Sequence, residues 1–297
     1  MHAPMPEANG RTCKRSRIDY SGVGAGERRA QAGIADEKAR QPRVIAMSAS
    51  IEVSEEEGVR YLHFGSRWIQ GAMRVARPFS LELEYTRDMM LPLLLHTESS
   101  WPRTVLSIGL GAASLPKFLH RHRRRSAQTI IEIEPAVIGA ARQYFRLPEE
   151  SARFRIEIAD GTDYVASSDR TFDLVLVDGY DAHGRVGALD TLPFYCNCQA
   201  RLSDRGVLAV NLLTRNHGAR ASLNRISAAF NHRSVALPTC ASGNVVALAT
   251  AGDVVEVSYV ELMKRARSTL RATGLNLVRT VARMREHAAQ RAELVRI

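Results

Sequence analysis

Two aspartates, three residues apart, follow an apolar stretch in the middle of the chain. The stretch is Val175-Leu176-Val177, and Asp178-Gly179-Tyr180-Asp181 comes directly after it. An ionised carboxylate can hold an ammonium group through charge-assisted hydrogen bonds. It can also accept the proton that an attacking amine releases. The pair therefore indicates a site for a cationic amine, and a turn with solvated acids is the alternative interpretation.

A glycine-rich turn with an acidic residue downstream predicts a nucleoside site. Gly109-Leu110-Gly111 ends an apolar run and precedes a helical stretch, and Glu132 lies 21 residues after Gly111. The glycines allow a tight turn and let a ligand approach the backbone, and a carboxylate at this spacing suits the two hydroxyls of a ribose. The spacing does not distinguish a dinucleotide from an S-adenosyl ligand. An ordinary strand–helix turn with an exposed glutamate is the structural alternative.

A third acidic position follows another predicted strand. Asp160-Gly161 comes just after the stretch 154–158. A carboxylate at the carboxyl end of a strand faces the crevice in which doubly wound sheets bind ligands. There it can accept a hydrogen bond from an exocyclic amine such as that of adenine. The alternative is a turn-forming Asp-Gly pair.

The elements that must position these residues alternate along the chain. Near-continuous apolar strands separated by helices predict an α/β fold with a doubly wound, mostly parallel Rossmann-like sheet of the class I methyltransferase type. The last two strands are expected to form a hairpin. The predicted strands are 104–108, 129–133, 154–158, 172–177, 206–210, 235–237 and 245–248.

Smaller units flank the predicted sheet. Short alternating strands between residues 58 and 78 predict an N-terminal β unit, and 81–95 is a helix candidate. Residues 259–271 and 275–295 are predicted as two basic C-terminal helices. We expect a disordered segment at 1–46, the β unit with a linking helix at 47–98, a nucleoside-binding catalytic domain at 99–255 and the C-terminal helices at 256–297.

The net charge of +10 lies in the two ends of the chain. Residues 1–46 have net charge +4 and residues 264–297 have +7, whereas the 23 basic and 24 acidic residues between them nearly cancel. The charge therefore describes the ends and says little about the site. The dense basic run at 120–125 is interpreted as a solvated helix C-terminus, with phosphate binding as the alternative. We expect no nucleic-acid partner, because no groove-reading motif is present.

Composition excludes several classes of protein. No apolar run approaches the ~20 residues that a bilayer requires, and the N-terminus lacks the apolar region of a secretory signal. Four scattered cysteines do not form a disulfide framework, and Cys196-Asn197-Cys198 has the wrong spacing for zinc. We therefore expect a cytoplasmic protein with no membrane contact and no metal.

The motifs together resemble, in order, those of the spermidine/spermine synthase family of aminopropyltransferases. The resemblance runs from about residue 58 to about residue 248. The stretches that are similar to family motifs are Leu81-Glu82-Leu83-Glu84-Tyr85-Thr86-Arg87-Asp88-Met89, Gly109-Leu110-Gly111-Ala112-Ala113-Ser114, Glu132-Ile133-Glu134-Pro135-Ala136-Val137-Ile138, Asp160-Gly161 and the strand that ends in Asp178-Gly179-Tyr180-Asp181.

The resemblance implies a role for each matching position. Glu132 would bind the ribose of an S-adenosyl donor and Asp160 the adenine, with Gly109, Gly111 and Gly161 shaping that half of the site. Asp178 would act as the base or orient the amine, and Asp181 would anchor the ammonium of a diamine. Tyr180, Arg87 and Asp88 are expected to contact the amine substrate. The resemblance also implies a homodimer, by analogy with the family. The implied reaction is direct displacement at decarboxylated S-adenosylmethionine by an amine such as putrescine, which needs alignment and no metal.

Three positions depart from the family pattern. Ala112 stands where the family has an Asp that contacts the ammonium of the donor, and Cys240 replaces a substrate-binding Tyr. Thr86-Arg87 replaces a Tyr-Gln or Tyr-His pair, and an arginine there would repel a diamine by about 1–4 kcal/mol at 4 Å. Two alternatives therefore stay open. They are a methyltransferase that uses intact S-adenosylmethionine on a small molecule, and a non-catalytic nucleoside-binding homologue.

Overall fold

A seven-stranded sheet forms the centre of the computed structural model, which describes residues 43–47, 51–65, 68–180, 187–214, 219–288 and 293–297. Its strand order is β10-β11-β9-β8-β5-β6-β7, in which β11 pairs antiparallel with both β10 and β9 and all other neighbouring strands are parallel. The predicted doubly wound fold and its terminal hairpin are confirmed. The strands are β5 (Thr104–Ile108), β6 (Ala127–Glu132), β7 (Phe154–Ile158), β8 (Phe172–Val177), β9 (Leu202–Leu213), β10 (Ser234–Ala236) and β11 (Asn244–Thr250).

The central strands are mostly apolar because helices cover both faces of the sheet. In β8, Leu174 and Leu176 face a core shared with the C-terminal helices, whereas Val175 and Val177 face a core on the opposite side. All four side chains are almost fully buried. A continuous apolar run is the expected pattern for a strand buried on both faces.

Eight α-helices occur in the described part of the chain. They are α1 (Glu84–Asp88), α2 (Ser114–His122), α3 (Pro135–Tyr144), α4 (Gly161–Ser167), α5 (Leu192–Ala200), α6 (Ala219–Ala229), α7 (Tyr259–Thr273) and α8 (Val278–His287). The predicted helix at 81–95 is instead the short α1 followed by a 3₁₀ turn at Leu91–Leu94, where Pro92 interrupts the helical pattern. Helices α4 and α5 have no counterpart among the sequence-based expectations.

The N-terminal β unit is a four-stranded antiparallel sheet. Its strands are β1 (Arg43–Met47), β2 (Glu52–Glu56), β3 (Val59–His63) and β4 (Gly71–Arg74), paired in chain order. Residues 43–46 were assigned to the disordered segment by sequence, but they belong to β1, which pairs with β2. The rest of that predicted segment, 1–42, lies outside the described residues.

The C-terminal end differs from the sequence-based expectation. Helix α8 ends at His287, and Leu294–Arg296 forms strand β13. This strand pairs with β12 (Glu256–Ser258), just before α7. Val295 lies in the core with α7 and α8, so the strand is fixed by packing that no local pattern reveals. No helix in the described ranges is long and apolar enough to cross a membrane.

The strand order places a crevice where the winding direction reverses. Strand β5 lies between β6 and β8 and runs parallel to both, and the connections after β5 and β8 leave in opposite directions across the sheet. Ligands of open α/β sheets bind at such a point, outside the carboxyl ends of the strands.

Lys117 on α2 is buried in the core with an exposed fraction of 1%. Its Nζ donates a hydrogen bond to the carbonyl oxygen of Phe145 at 2.6 Å. Burial lowers the pKa of this ammonium to about 7, because removing a charge from water favours the neutral amine.

We expect Lys117 to make the stability of the protein depend on pH. Between about pH 7 and the ordinary lysine pKa of about 10.4, the unfolded chain binds a proton that the folded chain does not, so the free energy of unfolding rises with pH. The maximum effect is on the order of 4 kcal/mol. Lys117→Met should abolish this slope, measured by denaturant unfolding between pH 6 and pH 10. Lys264→Met, at a solvent-exposed lysine, is the control. Identical slopes for Lys117→Met and the wild type would contradict the assignment.

Candidate active site

A cavity of about 650 Å³ opens at the carboxyl ends of the parallel strands. The structure brings seven predicted site residues to its wall, on the connections that follow β5, β6, β7 and β8. Four carboxylates and no Lys, Arg or His occur among the described lining residues. The predicted residues in the lining are Gly109, Gly111, Glu132, Asp160, Gly161, Asp178 and Tyr180.

Gly109 brings the turn after β5 against the turn after β8. Its φ is +92°, and a Cβ atom built there would lie 2.3 Å from the backbone oxygen of Asp178. Any other residue would collide with the backbone that presents the Asp178 side chain. Gly109 therefore allows both the tight turn after β5 and the close approach of the Asp178 backbone.

Glu132, at the end of β6, holds the glycine turn through its carboxylate. Oε2 accepts a hydrogen bond from the Leu110 amide at 2.8 Å, and Oε1 accepts one from the Glu134 amide at 2.9 Å. Burial raises the pKa of Glu132, and these backbone donors oppose that rise. Each carboxylate oxygen can accept a second bond, so the side chain can still receive two ribose hydroxyls.

Asp160 is the N-cap of helix α4. Its Oδ1 accepts hydrogen bonds from the amides of Thr162 at 2.6 Å and Asp163 at 3.4 Å. The turn-forming role considered from sequence is therefore present, and it orients the carboxylate at the cavity wall. Both capping bonds use Oδ1, which leaves Oδ2 for a ligand.

Asp178 receives a hydrogen bond on each carboxylate oxygen. Asn211 Nδ2, on β9, donates to Oδ1 at 2.8 Å, and the hydroxyl of Tyr85, on α1, donates to Oδ2 at 3.2 Å. Burial raises the pKa of Asp178, and the two donors oppose that rise. Burial and the charge of Asp178 also raise the pKa of Tyr85, so the phenol stays a donor. Asp178 is thus a fixed, partly desolvated carboxylate.

A chain of side-chain hydrogen bonds extends behind Asp178. Ser242 Oγ donates to Asn244 Oδ1 at 2.6 Å, and Asn244 Nδ2 donates to Asn211 Oδ1 at 2.8 Å. With Asn211 donating to Asp178, every bond in the chain is directed toward the carboxylate. Satisfied polar networks of this kind rigidify a buried site. Tyr180 lies beside it, with its hydroxyl donating to the Asn211 carbonyl at 2.6 Å.

Two predicted substrate-binding residues lie away from the cavity. The Arg87 guanidinium donates to the carbonyl oxygens of Leu81 at 3.0 Å and Glu82 at 2.7 Å. Arg87 is absent from the described lining of the cavity, where the expected repulsion of a diamine would require it. Asp88 is 1% exposed and accepts bonds from Thr280 at 2.6 Å and Arg283 at 2.5 Å. It ties α1 to α8 instead of facing a substrate.

Three further positions singled out from the sequence are Asp181, Ala112 and Cys240. Asp181 lies outside the described residues. Ala112 is buried against Gly71 of the β unit. Cys240 is buried, with its Sγ 3.2 Å from Asp88 Oδ2. In the described part of the chain, no group of three or more His, Cys, Asp or Glu side chains is arranged to hold a metal ion.

Sequence reasoning missed several polar residues of the cavity wall, among them Glu84, Tyr85, Asn211 and Asn244. A signal existed for Asn211, since it is the one strongly polar residue in the apolar run 207–213 of a central strand. Such a residue needs a buried partner. Glu84 and Tyr85 lie in the stretch 81–89 that resembles a family motif, but α1 is too short for a helical period to single them out.

The sheet and its flanking helices define a class I methyltransferase-type α/β fold, and the crevice at the carboxyl ends of its strands is acidic. The human methyltransferase-like protein 13, solved in complex with SAH, matches with a TM-score of 0.57 and 24% identity, covering 65% of this chain and 93% of that one. A probable spermidine synthase from Corynebacterium glutamicum matches with a TM-score of 0.63 and 17% identity, covering 76% of this chain and 85% of that one. At these identities the likeness confirms the fold alone.

Sequence comparison resolves the family. Residues 82–249 match the model of the spermine/spermidine synthase domain. The polyamine aminopropyltransferase of Chromobacterium violaceum is 35% identical over 252 residues, which cover 85% of this chain and 95% of that protein. The chain belongs to the spermine/spermidine synthase family, and the resemblance seen in the sequence motifs is confirmed.

Proposed function

We propose that the protein transfers an aminopropyl group from decarboxylated S-adenosylmethionine to an amine such as putrescine and releases methylthioadenosine. One observation carries the proposal within the family. Among its described lining residues, the cavity has four carboxylates and no cationic side chain. The donor is a sulfonium cation and the acceptor is an ammonium cation. The negative electrostatic potential of the four carboxylates therefore favours binding of both substrates.

The donor would occupy the half of the cavity between β5, β6 and β7. The free lone pairs of Glu132 suit the ribose hydroxyls, and Oδ2 of Asp160 suits the adenine amino group. Gly109 and Gly111 let the nucleoside approach the backbone. Ala112 offers no carboxylate to an aminopropyl ammonium, so that charge would be held by the acidic wall as a whole.

Asp178 would accept the proton of the attacking amine. The amine nitrogen forms a bond to the aminopropyl methylene carbon next to sulfur. The bond between that carbon and sulfur breaks, and its electron pair stays on sulfur. The proton lost from nitrogen passes to Asp178 and then to solvent. A carboxylate with a raised pKa suits this step, because a stronger base takes the proton more readily. Tyr85 and Asn211 fix its orientation, which supports alignment of the nucleophile.

The experiment that tests this proposal compares donors. Decarboxylated S-adenosylmethionine with putrescine should yield methylthioadenosine and spermidine, detected by chromatography. Intact S-adenosylmethionine should yield no methylated amine. Calorimetry with both donors and methylthioadenosine reports binding separately from turnover. Methyl transfer from the intact donor, with no methylthioadenosine from the decarboxylated one, would overturn the proposal.

Glu84 is expected to set the preference for a diamine over a monoamine. It lines the cavity, its Oε2 accepts the Ala241 amide at 3.0 Å, and it forms an ion pair with Arg283 of α8. Arg283 is shared with Asp88, so two carboxylates share one cation, and Glu84 is the member that faces the cavity. Glu84→Gln should raise KM for putrescine about tenfold, the loss expected for one charged hydrogen bond. It should leave KM for butylamine unchanged.

Glu82→Gln is the matched control for this prediction. Glu82 precedes the same helix and pairs with Arg74 at 2.5 Å, but it is not in the cavity lining. Its removal should leave both KM values unchanged. Equal changes in KM for putrescine and butylamine in Glu84→Gln would refute the assignment.

A further inference from the structure

Five arginines surround two adjoining cavities at the C-terminal end of α2. The cavities measure about 430 Å³ and about 470 Å³, and Arg121 and Arg124 line both. We call this surface the basic groove. Its arginines are Arg121, Arg123, Arg124, Arg125 and Arg153.

The composition of the basic groove is that of an anion site. Neither lining contains an Asp or a Glu. The hydroxyl groups of Ser99 and Ser100 line the first cavity beside the arginines, and the ring of Phe79 lines the second. Guanidinium and hydroxyl groups are the usual donors to phosphoryl oxygens.

The arginines of the basic groove lack ion-pair partners within the described part of the chain. Arg123 donates to the His122 carbonyl at 3.3 Å, and Arg153 contacts His120. Arg121 lies over the Phe79 ring, with 5.9 Å from its Cζ to the ring centroid. Eight arginines elsewhere in the described part of the chain form ion pairs with carboxylates. They are Arg60, Arg74, Arg142, Arg205, Arg225, Arg265, Arg283 and Arg296.

Part of this charge is desolvated. The Nε of Arg123 is buried without a hydrogen-bond partner, and burial lowers the pKa of its guanidinium. The pKa of His122 is also lowered, by burial and by the neighbouring charges of Arg121 and Arg123. The C-terminal dipole of α2 supplies only about half a negative charge. An anionic ligand would neutralise the positive charge of the arginines that the helix dipole leaves uncompensated.

The basic groove is separate from the candidate active site. Residues 123–126 lead into the start of β6, and Arg153 directly precedes β7. The active-site cavity lies at the opposite ends of these parallel strands. A ligand of the groove would therefore bind at the other edge of the sheet.

We propose that the basic groove binds a compact anion with two or more phosphoryl groups, of the nucleoside triphosphate class. Five guanidiniums exceed what one phosphate can neutralise, and two adjoining concavities enclose a small ligand better than a long polymer. In the second cavity, Arg121 and the Phe79 ring beneath it offer planar groups against which a base can stack. Phosphate binding by the run 120–125 was the alternative noted from the sequence. The structure adds Arg153, Phe79 and the hydroxyls of Ser99 and Ser100 to that run.

Binding of ATP and inorganic tripolyphosphate at physiological ionic strength tests the proposal, with orthophosphate and a single-stranded RNA as comparison probes. We expect ATP and tripolyphosphate to bind and orthophosphate to bind more weakly. The double variant Arg124→Ser/Arg125→Ser, at two exposed positions, should weaken ATP binding at least about tenfold. Methylthioadenosine affinity should stay unchanged, which separates this proposal from that of the active site.

Arg220→Ser/Arg285→Ser is the matched control. It removes the same charge from two exposed arginines outside the groove, on α6 and α8, and should bind ATP like the wild type. Equal weakening in both double variants would mean that net charge alone attracts the anion, and would overturn the proposal. Binding of RNA without binding of ATP or tripolyphosphate would also overturn it.

Discussion

Replacing Asp178 by Asn is expected to lower kcat for aminopropyl transfer by about 10²–10⁴-fold, the range typical for a lost general base. Affinity for methylthioadenosine should stay almost unchanged, because the nucleoside half of the cavity does not depend on this carboxylate. The amide would also present an N–H to Asn211 or Tyr85, both of which donate to Asp178. Release of methylthioadenosine under saturating substrates measures kcat, and calorimetry measures the affinity.

The pH dependence gives a second readout for the same residue. Asp178 must be ionised to accept a proton, and burial raises its pKa. Activity of the wild type should therefore fall as pH decreases through a pKa above the usual aspartate range, and this limb should be absent in Asp178→Asn.

Asp173→Asn is the matched control for Asp178→Asn. Asp173 lies on β8 as well, but at the opposite end, where it accepts the Arg103 amide at 2.7 Å. Its substitution should leave kcat near the wild-type value at temperatures well below Tm. Turnover that survives Asp178→Asn would exclude Asp178 as the base.

Glu132→Ala should weaken nucleoside binding by about two orders of magnitude, because each charged hydrogen bond to the ribose contributes about 1.5–3 kcal/mol. It should also lower the free energy of unfolding by about 2–4 kcal/mol, since the Leu110 and Glu134 amides lose their acceptor. Calorimetry with methylthioadenosine and denaturant unfolding measure the two effects.

Glu134→Ala separates these effects from a general loss of charge. Glu134 lies two residues further along and caps α3 by accepting the Ala136 amide at 3.1 Å, and it is not in the cavity lining. Its loss should cost the ~1 kcal/mol of a helix cap and leave nucleoside affinity unchanged. A wild-type affinity in Glu132→Ala would remove the ribose assignment.

Some features of the fold were accessible from local patterns, and others were not. The apolar runs of β5 and β8 identify central strands because burial on both faces leaves few polar positions. Strand β13 was predicted as helix, because the basic stretch before it continues a helical pattern and only pairing with β12 selects the strand. The helix predicted at 81–95 is longer than α1 for a related reason. Leu and Met residues are compatible with both an α-helix and a 3₁₀ turn, so the local pattern does not show where α1 ends.

The sequence by itself determined that Glu132, Asp160 and Asp178 share one cavity. Each follows a parallel strand, and the carboxyl ends of such strands meet at one edge of the sheet whatever the rest of the chain does. Tertiary structure decided the partners. Tyr85 reaches Asp178 across 93 residues of sequence, and Arg283 reaches Asp88 across 195. The structure also directs the Arg87 guanidinium to the carbonyl oxygens of Leu81 and Glu82. Side-chain direction on a short helix follows from what packs around it, and no local pattern of residue types encodes that packing.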